Sequence, residues 1–114
     1  MAVQAIRAVG IGNGPVHVEM KVTQDGPKMI ELGARMGGDF ITTHLVPLST
    51  GIDMMKLVIE NACGEKINIP KNNRYGSAIR FFSSESGRLE DVTGIGEALS
   101  VNGVKYVLLF KKTG

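Results

Sequence analysis

The stretch from Val16 to Gly33 constrains this chain more than any other. Val16, Val18, Met20 and Val22 alternate with His17, Glu19, Lys21 and Thr23, which is the period of two of a half-buried strand. A second short strand reads from about Pro27 to Gly33. Between the two, Gln24-Asp25-Gly26 suits a three-residue hairpin loop, a type I turn followed by glycine in the left-handed region. That loop pairs Thr23 with Pro27, and counting outward puts Lys21 opposite Met29, Glu19 opposite Glu31 and His17 opposite Gly33. A two-residue Asp25-Gly26 turn would slip the register by one and leave an ordinary solvated strand face, with the two glutamates on opposite sides.

Two carboxylates directly across an antiparallel pair have β-carbons roughly 4.5–5.5 Å apart, and like charges there are destabilising. A divalent cation, a shared proton or a basic side chain would compensate, and Arg35 follows on the same chain. Hard oxygen ligands from one or two carboxylates, completed by substrate phosphates and water, describe a magnesium–nucleotide site better than a self-contained cage.

Glu19, Glu31 twelve residues on, Arg35 and the pair Gly37-Gly38 together resemble the C-terminal half of the ATP-grasp carboxylate–amine ligases. The nearest branch is that of the L-amino acid ligases and the large subunit of carbamoyl phosphate synthetase. Purine-biosynthetic enzymes and biotin-dependent carboxylases share the same pair of glutamates. The resemblance implies that Glu19 and Glu31 hold Mg2+ bridging the phosphates of ATP, and that Arg35 steadies the acyl-phosphate chemistry. It also implies that Gly37, Gly38 and Asp39 border the acceptor substrate. Many members carry an asparagine two residues after the second glutamate as a further metal ligand, and this chain has Gly33 there, a departure that bears on a second metal position.

At 114 residues the chain is one domain's worth, enough for a core but small for a complete nucleotide-dependent enzyme. It is expected to be a C-terminal fragment of a longer ATP-grasp enzyme, because nothing in it supplies the lysines and hinge that hold adenine and phosphates. Alone it is expected to be inactive. A net charge of +2 spread along the chain argues against a nucleic-acid surface, which would cluster lysine and arginine with exposed aromatics. The single cysteine, Cys63, excludes an internal disulfide framework and fits a reducing compartment. With no signal-peptide pattern and no apolar run of about 18 residues, neither secretion nor a membrane span is expected, and the cytoplasm is the default.

Along the rest of the chain, Ala2 to Val9 reads as a short amphipathic helix closed by Gly10, Gly12, Asn13 and Gly14. That glycine-rich run leads from helix to strand, so its amides do not sit at a helix N-terminus and it reads as a cap and turn. Asp39 is placed to cap a helix from Phe40 to about Leu48, and Ile52 to Ala62 reads as the next helix. His44 and the Met55, Val58, Ile59, Ala62 stripe read as structural, and Cys63 as an inert thiol. Glu65 to Arg74 is a connector. Tyr75 to Ser83, Arg88 to Val92 and Val104 to Phe110 read as strands, with a turn at Ser84-Glu85-Ser86-Gly87 and one helical turn at Ile95 to Leu99.

The expected architecture is α+β, an antiparallel sheet with the two central helices on one face, in the manner of the C-terminal lobe of an ATP-grasp fold. Three classes of function fit such a chain. It is the magnesium-binding portion of an ATP-dependent ligase that activates a carboxylate as acyl phosphate and couples it to an amine or ammonia. Alternatively it is a non-catalytic binding or oligomerisation domain with an ATP-grasp-like hairpin, or a small interaction domain that pairs through exposed sheet edges. Its partners would be ATP and small carboxylate and amine substrates. An apolar face left uncovered would also favour a homo-oligomer.

Overall fold

The structure is a computed structural model and describes residues 1–71, 73–83 and 85–110. Asn72 in the expected connector, Ser84 at the head of the expected turn and the closing Lys111-Lys112-Thr113-Gly114 lie outside the described residues. The chain divides into two compact units, Met1–Arg80 and Phe81–Gly114.

The first unit opens with helix α1, Ala2–Ala8. Its end is a full Schellman closure: Gly10, at φ 75°, donates to the Arg7 carbonyl, and Ile11 donates to that of Ile6. The glycine-rich run is therefore a helix stop, as the sequence implies. Strands β1, His17–Thr23, and β2, Gly26–Gly33, then form an antiparallel two-stranded sheet, and α1 lies against β2.

The hairpin reaches the expected glutamate pairing by an unexpected route. Gly26 adopts φ 96°, but Thr23 pairs with Gly26 instead of Pro27, and Lys21 pairs with Lys28 instead of Met29. That one-residue offset is cancelled at a β-bulge between Glu19 and Met20, where β2 skips Ile30, so that Glu19 pairs with Glu31 and His17 with Gly33. The apolar pattern explains the bulge. Met29 and Leu32 are both half-buried and pair with half-buried Met20 and Val18, yet they are three residues apart. A regular strand would send them to opposite faces, and one inserted residue brings them to the same face. Ile30, the residue inserted, is 58% exposed.

After β2 comes a π-helical turn, Ile41–Leu45, running directly into helix α2, Val46–Thr50, with Pro47 in its first turn, and then helix α3, Met54–Ala62. Asp39 does not cap. A cap residue needs extended backbone, whereas Asp39 and Phe40 both sit in the left-handed region at φ 47° and 63°. Capping is done instead by Asp53, whose carboxylate accepts from the Lys56 amide at 3.0 Å and starts α3 two residues later than the apolar pattern suggests. Gly64 and Glu65 close α3 by the same Schellman bonds, to the carbonyls of Asn61 and Glu60. The segment 73–77 is tied beside α2: the Asn73 and Tyr75 amides donate to the Thr50 and Ser49 carbonyls, and the Ser77 hydroxyl donates to that of Leu45.

The second unit contains helix α4, Ile95–Ser100, where a single helical turn is expected. The strands expected at Tyr75 to Ser83, Arg88 to Val92 and Val104 to Phe110 are not formed. Aromatic and β-branched content makes a segment suited to a sheet, but a strand exists only in a ladder with a covered face. Here Phe82 is 94% and Phe110 70% exposed. The architecture is α+β, with the described sheet limited to the hairpin. Among the described residues no apolar side chain is fully buried, and the buried one is Thr42.

The register predicts two stability effects. Lys21 and Lys28 face each other as exposed like charges, so Lys28→Glu raises the urea midpoint by the equivalent of roughly 0.2–1 kcal/mol at low salt, shrinking in 1 M NaCl. Deletion of Ile30 restores an unbroken period of two and is tolerated within about 1 kcal/mol, whereas deletion of Leu32, which removes a core-facing member, unfolds the hairpin.

Candidate functional site

Residues directly opposite in an antiparallel pair point to the same side, so the open face of the hairpin carries three rows. His17 lies across from Gly33, then Glu19 from Glu31, then Lys21 from Lys28. Val18 with Leu32 and Met20 with Met29 line the other face. Both glutamates are exposed, as a site open to an external ligand requires.

Arg35 returns over this face from just beyond β2. Its amide donates to the Gly33 carbonyl at 2.8 Å, a tight turn that sends the side chain back across Gly33. A β-carbon on Gly33 would lie 3.4 Å from Arg35 Cγ and 3.5 Å from Nε, so the Arg35 stem packs directly over this glycine, in van der Waals contact with the place a side chain would start. Nη2 then donates to Glu31 Oε1, and Nη1 to the Met36 carbonyl at 3.0 Å. With side chains 52% and 51% exposed, this ion pair contributes only about 0.2–1 kcal/mol to the fold. Of the three ways to offset the facing carboxylates, the basic side chain is present at Glu31. Among the described residues no cation pairs with Glu19.

Among the described residues no three His, Cys, Asp or Glu side chains converge as a metal cage. Glu19 and Glu31 are a pair of hard oxygen donors without a third, a set that suits a magnesium ion whose other ligands arrive with a phosphate substrate and water.

The loop 34–40 closes one end of the face. Gly37 folds against β1: a β-carbon there would meet Ile41 Cγ2 at 3.0 Å and His17 Nδ1 at 3.1 Å, a tight fit that its neighbours would have to yield to. Its carbonyl accepts from the hydroxyl of buried Thr42 at 2.9 Å. Gly38 has open space around it, and its carbonyl accepts from the Ile41 amide at 2.8 Å. Asp39 is exposed, and the two successive left-handed residues Asp39 and Phe40 store strain of about 1–3 kcal/mol each. The π-helical turn follows at once, with the Leu45 amide reaching the Phe40 carbonyl at 3.0 Å and the Phe40 and His44 rings edge to face at 5.0 Å. Strained backbone followed by a π-turn is a combination found at functional sites.

The structure thus brings Glu19, Glu31 and Arg35 onto one face and sets Gly37, Gly38 and Asp39 in the loop after it. Sequence reasoning singles out neither His17, whose ring stands beside Gly37, nor Thr42, whose hydroxyl donates to the Gly37 carbonyl. The signal for His17 was its spacing of two from Glu19, which assigns both to one face, whereas nothing in the sequence marks Thr42 apart from its neighbour Thr43.

No known family profile matches the sequence. The chain is 32% identical over 112 residues to uncharacterized protein y4rH of Sinorhizobium fredii, an alignment covering 97% of this chain and 23% of that protein. It is 34% identical over 65 residues to carnosine synthase 1 of Homo sapiens, covering 57% of this chain and 8% of the synthase. The crystal structure of L-amino acid ligase from Bacillus licheniformis matches it with a TM-score of 0.72 at 32% identity, over 99% of this chain and 29% of the ligase. The chain therefore spans less than a third of each of these proteins. In sequence and fold alike it is similar to the C-terminal portion of an ATP-grasp carboxylate–amine ligase.

Proposed function

We propose that this chain is the metal-bearing portion of a longer ATP-dependent ligase, one that activates a carboxylate as acyl phosphate and couples it to an amine or ammonia. The observation that carries the reading is the direct opposition of Glu19 and Glu31, with Arg35 folded across Gly33 onto Glu31. Similarity to an L-amino acid ligase and to a carnosine synthase supports the reaction class. Magnesium bound with ATP supplies neutralisation of phosphate charge. Glu19 and Glu31 hold that ion by one carboxylate each, which also relieves their mutual repulsion.

Arg35 is pre-aimed by its bonds to Glu31 and to the Met36 carbonyl, so that its positive charge faces the place where charge develops on the transferred phosphoryl and acyl groups. Gly33 offers no side-chain ligand where many of the resembling ligases carry a further one, and the Arg35 stem packs over it instead. Gly37 and Gly38 allow an acceptor to approach the backbone closely, and exposed Asp39 offers a carboxylate to its amine. The remainder of the longer protein supplies adenine and phosphate contacts and covers apolar side chains that are open here, such as Val22 at 84% exposure.

Two outcomes follow. In the full-length protein, Glu31→Gln lowers magnesium-dependent ADP release in the presence of acid and amine by about 100-fold or more, while stability falls by no more than about 1 kcal/mol, the most its exposed ion pair with Arg35 contributes. Undiminished turnover by that variant contradicts the assignment. The 114-residue chain by itself releases no phosphate from ATP above background, measured on material free of contaminating ATPases, because it spans 29% of the ligase it matches.

A further inference from the structure

We infer that His17 is a positioning residue, setting the distance between the glutamate-bearing strands and the loop Gly37-Gly38-Asp39 that receives the acceptor. The inference rests on the ligase reading above and goes a step beyond it. His17 is half-buried, sits two residues before Glu19 on the same face, and lies opposite Gly33, where the partner strand has no side chain to contact it. The loop fills that gap. The Gly37 backbone comes so close to the imidazole that a single added β-carbon would stand 3.1 Å from Nδ1.

The contact is one of several that bear on where the loop stands. Thr42 holds the Gly37 carbonyl from the far side, and the Arg35 amide ties the near end to Gly33. Only His17 belongs to the strand that carries Glu19, so only it transmits the position of that glutamate to the loop. Strain at Asp39 and Phe40 means that the loop would relax elsewhere if this support were removed. A displacement of the acceptor by about 1 Å from the acyl group is enough to lower the rate by up to roughly 100-fold. Glu19 and Glu31 keep their pairing without the imidazole, because the register is set by the turn and the bulge.

The test is steady-state kinetics on the full-length protein with His17→Ala, His17→Gln, Gly37→Ala and the double variant His17→Ala/Gly37→Ala. His17→Ala raises the KM for the amine about tenfold or more, leaves the KM for ATP and the magnesium dependence within about twofold, and His17→Gln restores most of the loss. Gly37→Ala raises the amine KM too, and the double variant falls short of the product of the two single effects, because removing the ring relieves the crowding on its side of the added methyl while Ile41 Cγ2, at 3.0 Å, remains. Equal losses on ATP and amine, or independent effects in the double variant, overturn the inference. If His17→Ala does not fold, the amine KM of Gly37→Ala decides, an unchanged value counting against the inference. Glu31→Gln assayed alongside separates the two levels. Full activity there removes the ligase reading itself, whereas loss there with normal amine KM in the His17 variants removes only the positioning role.

Discussion

Repulsion between Glu19 and Glu31 is the constraint on which the rest of this unit depends. Two carboxylates facing each other across a ladder oppose the pairing that creates them. The hairpin nevertheless keeps them in register through its other face, where Val18, Met20, Met29 and Leu32 gather as the half-buried side of the sheet. The bulge at Ile30 reconciles the two demands. It lets a β2 sequence with apolar residues three apart present one apolar side, and in doing so returns Glu31 to a position opposite Glu19.

From that pairing the neighbouring parts take their places. Arg35 turns back over Gly33 to reach Glu31, its stem passing within van der Waals reach of where a β-carbon at 33 would stand. Gly37 stands close to His17 and Ile41, so that a β-carbon at 37 would force its neighbours to give way by a few tenths of an ångström. Between them the loop carries two left-handed non-glycine residues and enters a π-helical turn, so strain is stored at the site and held by the Thr42 hydroxyl inside the one buried position among the described residues. The exposed charged face and the strained loop are adjacent because the same short stretch of chain builds both.

Much of this was legible in the sequence, and the failures have physical causes. The strand pair, the facing glutamates and the glycine-rich helix stop follow from alternation and from glycine's positive φ, which are local properties. The inner register was read one residue off, because a loop count cannot see a bulge, although Met29 and Leu32 at a spacing of three were its signature. Asp39 was read as a cap from residue type, while the chain places it in a left-handed conformation that cannot cap, and Asp53 performs that role where a helix does begin. The strands of the second unit were read from composition, but pairing is a non-local property that Phe81, Phe82 and Val104 to Phe110 do not specify alone.

The central claim, that Glu19 and Glu31 jointly hold the divalent cation that accompanies ATP, is tested most directly by Mn2+ anomalous diffraction from crystals of the full-length protein with a non-hydrolysable ATP analogue. The account predicts an anomalous peak between the two carboxylates, within about 2.3 Å of an oxygen of each and of a phosphate oxygen, and its loss in the Glu19→Gln/Glu31→Gln variant. A peak that coordinates the nucleotide but neither carboxylate would contradict it.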